Sequence, residues 1–104
     1  HQLRLATRQF SRYMQVMALW NLAKPLARSR RPEVAAIAMA ASTQEWLAHF
    51  GTLADRDRRY VARVRRLVER QLGRQATAMH WAAAEQLGLP EVVQAVLDGP
   101  RRLG

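Results

Sequence analysis

Between Thr52 and Gly73 the chain carries five arginines, Arg56, Arg59, Arg63, Arg66 and Arg70, spaced three, four, three and four residues apart. At 100° per residue this spacing gathers all five guanidinium groups into a helical stripe roughly 80° wide and about 21 Å long. Leu53, Tyr60, Val61, Val64, Leu67, Val68 and Leu72 fall roughly opposite and supply an apolar face. The segment is predicted as an amphipathic helix that opens near Thr52 and closes before Gly73. Asp55 and Asp57 complement its positive end.

Similar punctuation divides the whole chain into about five helical segments. β-Branched residues are scattered, and no run sustains apolar and polar alternation. The expected fold is all-α, a four- to five-helix bundle-like domain, and 104 residues suit a single core. The first helix is expected from Gln2 to Lys24, because Pro25 disfavours helical geometry in the residue before it. Leu3, Ala6, Phe10, Tyr13, Met17 and Trp20 recur at helical spacing and form its predicted core face, with Arg4, Arg8 and Arg12 on the opposite side. From Met14 to Ala23 the helix is apolar nearly all round, and Val16, Leu19 and Leu22 fall off the main stripe. This half is either central to the core or covered by a second contact, which a homodimer through Val16, Leu19 and Leu22 would supply.

A linker from Pro25 to Arg31 carries Arg28, Arg30 and Arg31, and Pro32 with Glu33 suits the start of a second helix. Val34, Ile37, Ala41, Trp46, Leu47 and Phe50 give that helix its apolar surface, and Gly51 is its natural cap. Ser42-Thr43-Gln44-Glu45 has capping-box spacing and would allow a restart. The helix propensity of the preceding alanines favours one continuous helix. A fourth helix is expected from Gln75 to Leu87 with Met79, Ala83 and Leu87 inward. A short fifth begins at Pro90 and ends before Gly99-Pro100, leaving Arg101 to Gly104 as a loose tail.

Lysine and arginine total 17 against 8 acids, a net charge of +9, so attraction to nucleic acid or anionic lipid is expected of the molecule as a whole. An Ala- and Arg-rich composition is also what a GC-rich genome produces, so the stripe says more than the total does. An exposed helix face is polar in any case, and arginine stems cover apolar neighbours. This face is one-sided, however: no acid interleaves the five arginines, and like charges at this spacing repel. An outside anion would relieve that repulsion, either a phosphate backbone or an acidic protein face. A straight rod of charge suits tracking of phosphates rather than reading of bases. Arg58 and Arg65 extend the positive surface on the flank.

Cysteine is absent, which removes disulfides and thiolate chemistry and fits a reducing, cytoplasmic setting. No run of 18 apolar residues would span a membrane. The chain begins at His1, as expected of a domain excised from a larger protein. His49 and His80 lie too far apart for a short-range metal motif, and no spacing suggests a catalytic triad or carboxylate pair, so no catalytic residue, metal or cofactor is proposed. His49 is read as complementing a helix C-terminus, and His80 as capping or packing. Asp57 falls nearer the apolar side of its helix, where the exposed amides of the first turns account for it. Trp20, Trp46 and Trp81 occur one per major segment and are read as core anchors rather than base-stacking platforms.

The stretch Ala84-Glu85-Gln86-Leu87-Gly88-Leu89 resembles the turn of a helix-turn-helix motif. Gln94 occupies the place where such motifs bury a β-branched residue, and Glu91 to Val96 offers no basic side chain to a groove. A plain helical hairpin follows. Thr77 to Ala83 with Glu91 to Gly99 is similar to one ankyrin repeat, but no second copy appears at a 33-residue offset and a single repeat cannot bury its faces. The sequence thus points to a non-catalytic interaction module that binds nucleic acid through phosphate contacts. A protein-interaction or oligomerisation domain meeting an acidic partner is the alternative.

Overall fold

The computed structural model describes the backbone of residues 2–103 and the side chains of residues 8–97. Among these the chain forms five helices and no strand: α1 (Gln2–Arg28), α2 (Pro32–His49), α3 (Asp55–Leu72), α4 (Arg74–Ala84) and α5 (Leu89–Leu103). The expected all-α, five-helix organisation is present.

The hub is α2, which touches each of the other four helices. Its sequence explains the position. Ala35, Ala36, Ala38, Met39, Ala40, Ala41 and Ser42 are all buried, so small residues clothe the helix on nearly every side and let neighbouring backbones approach closely. The helix runs unbroken through the capping-box sequence. Ser42 Oγ and Thr43 Oγ1 both donate to the Met39 carbonyl, at 3.1 and 2.7 Å, so the hydroxyls bond back along the helix instead of capping a new one. Gly51, at φ +115°, ends it, and its amide donates to Trp46 O at 3.2 Å.

In α1 the structure corrects the predicted face. Val16, Leu19, Ala23, Leu26 and Ala27 are buried, whereas Phe10 and Tyr13 of the predicted stripe are exposed and Met17 and Trp20 are half-buried. Leu3 and Ala6 lie outside the described side chains. The buried ladder also has three-four spacing but is turned by roughly 90° around the helix. Its alanines allow close contact with α2, while the bulkier aromatic ladder sits to the side.

The helix also continues past Pro25 to Arg28. Leu26 and Ala27 are buried in the core, and Gln71 Nε2 donates to Ala27 O at 2.6 Å, so tertiary contacts hold the last turn. Pro25 and Asn21 both face solvent, where water can satisfy the Asn21 carbonyl that proline leaves unbonded.

The turn that follows is short. Arg31 N donates to Leu26 O at 3.0 Å and Arg30 N to Ala27 O at 3.4 Å, a Schellman closure with Arg30 at φ +60° where glycine is usual. Arg31 reaches across to donate to Val96 O at 3.2 Å and ties this turn to α5.

Of the predicted inward face of α4 only Leu87, which lies past the helix end at Ala84, packs against the core. Met79 is 67% exposed and Ala83 is exposed, while Thr77 and Ala84 are buried. Thr77 is a polar residue that packs because its hydroxyl donates to Gly73 O at 2.7 Å. Leu89, Val92 and Val96 bring α5 onto the core, and its backbone remains helical through Gly99-Pro100 to Leu103, beyond the predicted stop.

Candidate nucleic-acid interface

Helix α3 owes its orientation to two valines. Val64 and Val68 are fully buried, and Tyr60, Val61, Leu67 and Leu72 pack beside them, as the spacing predicts. Two contacts fix its rotation against α1: the Tyr60 hydroxyl donates to Trp20 O at 2.8 Å, and the Tyr60 and Trp20 rings stack at 5.2 Å. Burial raises the Tyr60 pKa above its usual value, partly offset by a backbone hydrogen bond at Lys24.

With the apolar side pinned, Arg56, Arg59, Arg63, Arg66 and Arg70 are all exposed. Among the described residues none of the five has an ion-pair partner. The nearby acids are engaged elsewhere: Asp55 pairs with Arg58, and Glu69 Oε2 lies 3.7 Å from Arg65 Nε. These two flanking arginines therefore do not add free charge to the surface, contrary to the sequence expectation. Arg65 is structural, its guanidinium 4.9 Å from the centre of the Trp81 ring, which clamps α4 to α3.

Concavities lie at the two ends of α3. At its N-terminal end a cavity of about 190 Å³ is lined by Tyr13, Met17, Trp20, Trp46, Arg56 and Asp57, among others. Asp57 is half-buried here and has no ion-pair partner among the described residues. Trp46 is held by Tyr13 at 6.3 Å and Phe50 at 5.1 Å, and its Nε1 donates to Thr52 O at 3.3 Å. Near the C-terminal end an open groove of about 820 Å³ is lined by Arg28, Arg30, Gln71 and Leu72, among others. The arginine row thus runs between an aromatic pocket and a second basic group. Sequence spacing missed both, because their members come from different helices; the placement of Asp57 on the apolar side was the one local signal.

The other proposed positions fall as follows. Val16 and Leu19 are 0% and 2% exposed within the chain's own core, so they are not available to a second copy; Leu22 is 42% exposed. The reason is the turned α1 face, which directs those two residues at α2. Arg12, read as lying on the polar side, is bound into the α1 and α2 contact: it donates to Gln9 Oε1 at 2.7 Å, and Glu45 and His49 lie at 3.7 and 3.3 Å. His49 meets Glu45 at 3.4 Å in the last turn of α2, and His80 is half-buried on α4. All three tryptophans are partly buried against the core. Among the described side chains the α4 and α5 hairpin buries Val92 and exposes Glu91, Gln94 and Leu97, none of them basic. No group of three or more potential metal ligands occurs among the described residues, and no helix there is long and apolar enough to cross a membrane.

No protein-family model, curated protein or solved structure matches the chain.

Proposed function

We propose that this chain is a non-catalytic nucleic-acid-binding module that grips the phosphate backbone with the exposed arginine row of α3. One observation carries the reading: five arginines share a helix face with no acid to neutralise them, while Asp55 and Glu69 are drawn off by Arg58 and Arg65. Guanidinium groups bind phosphate by paired N–H donors, and about 21 Å of helix presents them in a line. Contacts of this kind give affinity and register without selecting sequence.

The test is the double variant Arg59→Gln/Arg63→Gln. Its binding to nucleic acid weakens alike for all sequences, and the slope of log affinity against log salt falls by roughly one unit for each phosphate no longer neutralised. Arg4→Gln/Arg8→Gln, which removes the same two charges from α1, is the control and has the smaller effect. Equal weakening from the α3 and α1 sites would reduce the interaction to net charge alone. Tighter binding of an acidic polypeptide than of nucleic acid would favour the protein-interaction alternative.

Self-association through α1 is the second reading, favoured by Phe10, Met14 and Leu22, which are 64%, 53% and 42% exposed within an arc of about 120°. Equilibrium sedimentation of the wild type and of Met14→Glu tests it.

A further inference from the structure

We propose that the pocket at the N-terminal end of α3 receives one unpaired base of a single strand whose phosphates lie along the arginine row, and that guanine is the preferred base. The proposal rests on the nucleic-acid reading above and specifies its ligand.

The cavity of about 190 Å³ is walled by Tyr13, Met17, Trp20 and Trp46. Its size is of the order of the roughly 150 Å³ cavity that accommodates a benzene ring. Aromatic walls favour a flat π-system, since every base has a face to stack. A duplex keeps its bases inside the stack, so only an unpaired base enters without unstacking.

The charges select among flat or cationic ligands. Arg56 is both the first member of the arginine row and a lining residue of the pocket. A strand that follows the row therefore ends at the pocket without leaving the basic surface. Asp57, one residue on, contributes a carboxylate that is unpaired among the described residues. An isolated cation would gain from Asp57 but be repelled by Arg56. A nucleotide uses both signs, phosphate on arginine and base edge on carboxylate. An ionised carboxylate only accepts hydrogen bonds. Guanine alone among the common bases presents two adjacent donors, its ring N1–H and its exocyclic amino group, on the edge left free in a single strand. Uracil presents one N–H between two carbonyl oxygens, which a carboxylate repels.

The experiment uses three uridine octamers whose central residue is guanosine, uridine or abasic, with tryptophan fluorescence and affinity as readouts, on the wild type, Asp57→Asn and Arg59→Gln/Arg63→Gln. Expected with the wild type is quenching by the guanine octamer and binding about tenfold tighter than to the abasic one, the scale of one stacked base. Asp57→Asn should erase the preference of guanine over uracil; because it also removes a negative charge beside Arg56, binding of the abasic octamer should not weaken. Arg59→Gln/Arg63→Gln should weaken all three octamers alike.

Equal affinity for the guanine and abasic octamers, with the arginine variant still weakening both, would overturn the pocket and leave the phosphate reading standing. Undiminished binding by the arginine variant would remove the reading itself. Quenching by choline that Asp57→Asn abolishes, with none by the guanine octamer, would show a cation cage instead and overturn the proposal. The comparison of octamers is made on the unaltered protein, so it does not depend on any variant folding.

Discussion

Single residues carry backbone strain and buried polarity whose effects on stability are measurable. Arg30 adopts φ +60° to close the α1 helix, a conformation that crowds the Cβ of any residue but glycine. Arg30→Gly is expected to raise the unfolding free energy by about 0.5–1 kcal/mol, the relief of strain less the added freedom of the unfolded chain. Thermal unfolding monitored by circular dichroism measures it. Tyr60 works in the opposite sense, because its hydroxyl is bonded to Trp20 O and its ionised form is disfavoured by burial. Tyr60→Phe removes that bond and about 1 kcal/mol of stability near neutral pH. The folded-state pKa lies above the ordinary 10.0, so the stability linked to this phenol is complete below pH 10 and declines as pH rises toward the folded value. Urea unfolding at alkaline pH should show that decline in the wild type and a smaller one in Tyr60→Phe.

At the scale of elements, α2 and α3 solve opposite problems. The α2 helix is enclosed because it is small-sided, and Ala38 is 0% exposed among its neighbours. Ala38→Leu adds methylene groups where helices already touch, and is expected to cost about 1–3 kcal/mol in urea unfolding. A neutral result would mean that α2 has room to spare and is not the close-packed hub. The α3 helix is two-faced, and its buried valines and its end before Gly73 follow from the apolar and arginine spacing, whereas its start lies at Asp55 rather than near Thr52. The sequence of α1 is ambiguous about its buried face. Its second half is apolar on most sides, so periodicity offers two ladders, and hydropathy favours the larger side chains. Close packing favours Val16, Leu19, Ala23 and Ala27 instead.

For the whole molecule the governing property is its +9 charge, spread over a body measuring 45 × 35 × 22 Å. The shortest dimension fits two layers of helices, so no arginine can lie far from the surface. Self-repulsion of these charges opposes the compact state and is screened as the Debye length falls from about 30 Å at 0.01 M salt to about 8 Å at 0.15 M. The melting temperature should therefore rise over that range, while affinity for nucleic acid falls. A melting temperature that falls with salt would indicate that the ion pairs of Arg12, Arg58 and Arg65 outweigh the repulsion.

Capping residues and three-four spacing act within one or two helical turns, and they suffice to make the chain helical, to place the turns at Gly51, Gly73 and Gly88, and to give α3 its charged side. Local signals of this range also placed all five stripe arginines correctly in solvent. The buried faces of α1 and α4, the passage of α1 through Pro25 and of α5 through Pro100, and the convergence of Tyr13, Trp20, Trp46 and Asp57 on one pocket emerge only when the helices pack together. Those outcomes depend on how closely two surfaces approach, a matter of side-chain shape and of contacts between residues tens of positions apart. Alanine, the residue that makes the closest approach here, carries the weakest periodic signal of the apolar residues.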